Sequence, residues 1–169
     1  MQSIKHAAFE SPLSDEQLAE LGRLVVNCGF AEFLVGQHVG MLHNVQYSSR
    51  GVLIHALPFQ RKLEILKNGL ETIPGGETRS LVKEACTLAG PAITDRNLLI
   101  HGIWGFDSGN PDSKPIVGTF VKTSGIRRPA DITKTANALA VASRKLKHAL
   151  EVDHGGKITD KAERLVVLP

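Results

Sequence analysis

"PLSDEQLAELGRLVVNCGFAEFLVGQHVGMLH", residues 12–43, decides the fold. Ser14 followed three residues later by Gln17 is a capping box, and Leu13 and Leu18 stand at the two positions of a hydrophobic staple. A helix therefore starts at this serine. Apolar residues then recur at Leu18, Leu21, Val25, Cys28, Val35, Val39 and Leu42, the three-four alternation of a helix that buries one face. The spacing predicts one long helix, running to about His43, with a bundle-type seam. Glu32 falls where that seam skips a position. It either tilts to the seam's edge or lies in a protected cleft as an accessory to a site.

The rest of the chain is read outward from this helix. "QYSSRG" breaks the pattern, and "VLIHALP" is a short apolar run ending at Pro58, read as a connector. "PFQRKLEILKNGLETIPGG" carries Phe59, Leu63, Leu66 and Leu70 at helical spacing and ends in Pro74-Gly75-Gly76, which predicts a shorter second helix. "ETRSLVKEACTLAG" continues with Leu81, Ala85 and Leu88 on one face. Gly90-Pro91 then predicts a kink or a fresh helix start, with a helix running from there through residues 96–101. "IWGFD" and "PIVGTFVKT" are β-like runs around the turn-rich "SGNPDSK", the pattern of a small hairpin. Asp131 is the expected N-cap of a last helix with Ile132, Leu139, Ala142, Leu146 and Leu150 on one side. Residues 152–169 read as a loose tail. The expected architecture is all-α: a helical bundle with a long first helix and a small β-hairpin inserted after the helix that carries residues 96–101.

Composition agrees with that class. A chain of 169 residues can bury a core without staples, so a single domain over 1–169 is expected. Aromatics are 5% of the sequence, so Leu, Val, Ile and Ala must fill the core. The net charge of +3 permits a polyanionic partner without requiring one. The two cysteines, Cys28 and Cys86, sit in apolar helical patterns, which argues for a reducing, cytoplasmic setting. The N-terminus lacks the apolar core of a signal peptide, and Asn27, Glu32, Gln37 and His38 interrupt the longest apolar stretch, so no membrane span is expected. None of the seven histidines stands at a helix-facing metal-ligand spacing, so neither a metal nor another cofactor is expected.

Two hexapeptides share the spacing Arg-x4-His: "RGVLIH" at 50–55 and "RNLLIH" at 96–101. With nine arginines and seven histidines, such pairs arise readily by chance, so context must separate them. Arg50 and His55 lie in a connector split by Gly51, where the reading is a solvated Arg and a partly buried His. Asn97 and His101 share one face of a helix, whereas Arg96 stands about 140° round from His101. The two meet only if the Arg wraps round, if His101 sits on an unwinding last turn, or if two copies of the helix pair. Leu98, Leu99, Ile100 and Ile103 would anchor this helix in the core.

"DRNLLIHGIW", Asp95 to Trp104, resembles the signature of the HEPN superfamily (higher eukaryote and prokaryote nucleotide-binding domains): an Arg, a polar residue that is often Asn, and a His after four to six residues. "RGVLIH" lacks the polar residue, so the signature transfers to Arg96, Asn97 and His101. The order of a long helix, a shorter one, the motif helix, a hairpin and a final helix is similar too. The resemblance implies a metal-independent endoribonuclease, in many members a toxin or defence component, that acts as a homodimer with paired motif helices. It implies catalytic roles for Arg96 and His101 and an orienting role for Asn97, with RNA or a nucleotide as ligand and an antitoxin protein as a further partner. Family members without ribonuclease activity also exist, which leaves a non-catalytic nucleotide-binding or protein-interaction module as the alternative. The residue types suit the chemistry: His titrates near neutrality, Arg keeps its charge and offers a fork of donors to phosphate, and Asn can hold both in register. Its place at a helix C-terminus is expected to favour protonated His101.

Overall fold

The computed structural model describes residues 11–106, 115–119 and 122–153. Five α-helices and a small sheet follow in the order α1 (Asp15–Leu42), α2 (Tyr47–Leu53), α3 (Phe59–Asn68), a 3₁₀ turn (Leu70–Thr72), α4 (Gly76–His101), β1 (Ile103–Gly105), β2 (Ile116–Thr119), β3 (Lys122–Arg127) and α5 (Pro129–Asp153). The all-α bundle with its hairpin after the motif helix is the expected architecture. α5 packs along both α1 and α4, and α3 closes the other side of α1.

α1 starts as its sequence requires. The Ser14 hydroxyl accepts from the Gln17 backbone N–H (3.3 Å), and the Gln17 side chain accepts from the Ser14 N–H (2.9 Å). It also ends by a recognisable device. Asn44 takes a left-handed φ of 52°, the Val45 N–H donates to Gly40 O (2.8 Å) and the Asn44 N–H to Met41 O (3.0 Å), which is a Schellman motif. The chain is thereby turned back across α1.

The seam of α1 is rotated from its expected position. Leu24, Cys28, Ala31, Leu34, Val35, His38 and Val39 are buried, while Leu18 and Val25 are exposed. His38 can be buried because its Nε2–H donates to the Leu146 carbonyl on α5 (3.0 Å). Cys28 and Cys86 are both buried and free.

Three further expectations are corrected. The stretch around "YSSRGVL" is a short helix, α2, rather than a connector. Pro91 neither starts nor ends a helix; it sits inside α4 on an exposed face, where the carbonyl freed by its missing N–H belongs to the exposed Thr87. Asp131 lies inside the first turn of α5, which begins at Pro129, and its carboxylate accepts from the Arg128 N–H (2.8 Å). Proline at the first helical position is favoured because its absent N–H is one the helix could not use.

The hairpin of β1 and β2 gains a third strand, giving an antiparallel sheet in the order β1-β2-β3. The apolar run expected as one strand is divided between β2 and β3. The turn "SGNPDSK" and the tail beyond Asp153 lie outside the described residues. Among the described residues no helix is long and apolar enough to cross a membrane.

Candidate functional site

The last turn of α4 is locked from both directions. The Gly102 N–H donates to Leu98 O (2.8 Å), and the indole N–H of Trp104, on β1, donates to Leu99 O (3.0 Å). Two carbonyls that a helix end leaves without partners are thus satisfied, and the buried Leu99 side chain anchors the turn. Gly102 itself is extended, so the chain passes directly from His101 into β1.

On this fixed turn Arg96, Asn97 and His101 come together. Arg96 Nη1 donates to Asn97 Oδ1 (3.0 Å) and contacts His101 Nε2 at 3.3 Å. The Arg side chain wraps round the helix, which overcomes the angular separation. Since guanidinium nitrogens only donate, Nε2 must accept, and the ring carries its proton on Nδ1. Asn97 and His101 are exposed and Arg96 is half-buried. The Nε of Arg96 is buried without a hydrogen-bond partner, alone in this among the described side chains. An unpaired buried donor costs about 1–3 kcal/mol, and such atoms concentrate where function requires them.

Arg96 approaches α1 near Cys28. Burial raises the Cys28 thiol pKa; the Arg96 charge opposes that rise and the Glu32 charge adds to it. Glu32 therefore flanks the same stretch of α1, but its carboxylate is occupied by Lys62, whose Nζ donates to Oε1 at 2.6 Å. No contact joins Glu32 to Arg96, Asn97 or His101 among the described residues.

The other hexapeptide is held by a separate network. Arg50 Nη1 donates to Gln37 Oε1 (2.8 Å), which turns the Gln37 amide N–H toward His55 Nε2 (3.2 Å). His55 must accept there and is neutral, in line with its pKa being lowered, first by burial and then by the Lys62 charge. Its ring stacks on Phe33 at 5.4 Å and fills the notch left by Gly36, where an added Cβ would stand 2.7 Å from Cε1. Arg50 fills the corresponding notch at Gly40. "RGVLIH" is therefore a clamp fastening α2 to α1, not an unconstrained pair.

Sequence reasoning missed Gln37 and Lys62. Lys62 was legible: it falls between Phe59, Leu63 and Leu66 on the apolar face of α3 and is 1% exposed, where a cation needs a partner. Among the described residues no group of three or more His, Cys, Asp or Glu side chains could hold a metal ion. No protein-family model matches the chain, and no curated protein and no solved structure is similar to it.

Proposed function

We propose that the end of α4 is the active site of a metal-independent RNA endonuclease of the HEPN type, with Arg96 and His101 catalytic and Asn97 orienting. The observation that carries this reading is the shared hydrogen bonding of Arg96 Nη1 to Asn97 and His101 on an exposed, locked helix end. Arriving RNA would offer Arg96 a phosphate oxygen in exchange for the imidazole. The Nε2 lone pair is then free to take the proton of a 2′-hydroxyl as its oxygen attacks phosphorus. The P–O5′ bond breaks, leaving a 2′,3′-cyclic phosphate and a 5′-oxygen that needs a proton.

A second copy of the chain would supply that proton from its own His101, so the reading includes a homodimer. One face of α1 favours it. Leu18, Val25, Val26 and Phe33 are exposed on the same arc of about 100° as Gly22 and Gly29, and an added Cβ at either glycine would meet nothing within 4 Å. Arg96 lies beside Cys28 on the adjoining flank, so copies paired through this face would bring their sites close. A polymeric substrate suits the site better than a free nucleotide, because the residues are exposed on an open helix end. In the cytoplasm such a nuclease would act as a toxin or defence component, and an antitoxin protein would restrain it by covering this end of α4.

The test is incubation with mixed RNA in excess chelator. Arg96→Ala and His101→Ala should each lower cleavage by roughly 10²–10⁴, while His55→Ala, if folded, retains it. Cleavage undiminished in His101→Ala overturns the reading.

A further inference from the structure

A cavity of 610 Å³ opens at the other end of α4, between the end of α1, α2 and the first turn of α4. We propose that it binds a phosphomonoester carried on a flat body with polar edges, that is, a mononucleotide. This inference is independent of the nuclease reading, since none of the lining residues belongs to the Arg96 cluster.

Two lining residues, Arg50 and Thr78, offer donors to a phosphate. Arg50 lines the cavity with its guanidinium already fixed: Nε donates to Val45 O (3.0 Å), Nη1 to Gln37 Oε1 (2.8 Å), and the Tyr47 ring lies 5.7 Å away. Those contacts use two of the five guanidinium N–H groups, and the remaining ones have no acceptor among the described residues. Fixing an Arg before its ligand arrives removes an entropy cost from binding. The second is Thr78, in the first turn of α4. Thr78 is 4% exposed, it lines the cavity, and its hydroxyl has no hydrogen-bond partner among the described residues. The hydroxyl oxygen is not sealed off, so a ligand in the cavity can supply that partner.

The backbone and the charges agree. α4 is preceded by Gly75, which has φ 79° and no side chain to cap the helix, so the first-turn N–H groups are left without a capping oxygen. Helix N-termini with such groups attract phosphate. No carboxylate lines the cavity. Glu77, in the same turn, is exposed and faces His148 on α5, with Oε1 4.0 Å from Nε2. The remaining lining is mixed: Met41, Val45 and Ile73 supply apolar surface, Asn44 and Gln46 supply polar groups that a base can hydrogen-bond, and the largely exposed Tyr47 ring is suited to stacking on a base. The volume is within the range of small-ligand sites.

Titration of the full chain with adenosine 5′-monophosphate, inorganic phosphate and adenosine, followed by backbone amide NMR shifts and by calorimetry, tests the proposal. The monophosphate should bind saturably and shift the Gly76, Glu77 and Thr78 amides, and it should bind more tightly than either fragment. Thr78→Val keeps the side-chain shape and should weaken binding about tenfold while leaving RNA cleavage and folding unchanged. No saturation at millimolar nucleotide, or equal affinity in Thr78→Val, overturns the site. Inorganic phosphate binding as tightly as the monophosphate overturns the nucleotide assignment.

Discussion

Arg96 Nη1 reaches His101 Nε2 at 3.3 Å across five residues of α4, a separation that places their Cα atoms on different faces of the helix. The contact depends on the length of the Arg side chain and on Asn97, which shares the same Nη1. Arg96→Lys keeps the charge but offers one ammonium where the planar fork stood. We expect single-turnover RNA cleavage in chelator to fall at least tenfold in this variant, with an unchanged far-ultraviolet spectrum and thermal midpoint. Full activity in Arg96→Lys would mean that charge alone is needed there.

In the proposed site Trp104 would be a positioning residue. Its indole N–H satisfies the Leu99 carbonyl, and it is the sole tryptophan of the chain. Trp104→Phe keeps an apolar ring and removes the donor, so stability should fall by about 1 kcal/mol and cleavage should fall through kcat more than through KM. In the wild type, RNA bound at the end of α4 should change the fluorescence of this one indole. His101→Ala should preserve that change and lose turnover.

Much of this arrangement is legible in the sequence, and the failures have physical causes. Ser14 and Gln17 mark the start of α1 because a capping box is local chemistry, decided within one turn. The seam of α1 is not local. Counting Leu18 and Val25 as core gives the wrong face, because the buried arc is completed by Ala31 and by His38, whose burial depends on a carbonyl on α5. Pro91 reads as a kink or a fresh start, yet its exposed position lets one helix run through it. The clamp of Arg50 and His55 is invisible in "RGVLIH" itself, since it requires Gly36, Gln37 and Gly40 on another helix.

The glycines of α1 make opposite predictions. An added Cβ at Gly36 or Gly40 would stand 2.7 Å from His55 Cε1 or 2.6 Å from Arg50 Nε, and both side chains are pinned by Gln37. Gly36→Ala and Gly40→Ala should each cost about 1–3 kcal/mol in chemical denaturation. Gly22→Ala and Gly29→Ala meet nothing and should stabilise the folded monomer by about 0.5–1 kcal/mol. If the exposed face of α1 is the dimer seam, Gly29→Ala also weakens association in sedimentation velocity. A dimer unaffected by Gly29→Ala and by Val26→Glu would place the seam elsewhere.

His55 should make stability depend on pH. Its pKa is lowered in the folded state from an ordinary value of 6.5, so the unfolded chain binds the proton more readily. Its contribution is complete above the unfolded value. It is lost progressively as pH falls from there toward the folded value, and it levels off below that. Denaturation midpoints between about pH 7.5 and pH 5 should therefore fall more steeply in the wild type than in His55→Gln. Parallel slopes would mean that His55 is as easily protonated folded as unfolded.

The pair of Lys62 and Glu32 separates a structural role from an accessory catalytic one. Lys62 is 1% exposed, and the Glu32 carboxylate at 2.6 Å is its charge partner, with His55 O accepting from the same Nζ at 3.2 Å. Glu32→Gln strands a buried cation and should cost about 3 kcal/mol, the low end for a broken buried pair because Glu32 is partly open to water. Lys62→Met should cost less, since it removes the charge that needs a partner and retains the apolar stem that packs among Phe59, Leu63 and Leu66. Combining the two should recover most of the stability lost in Glu32→Gln. RNA cleavage in that double variant decides the role of Glu32: wild-type rates make it a partner for Lys62 alone, whereas a stable but slow variant makes it part of the site through the field it shares with Arg96 at Cys28.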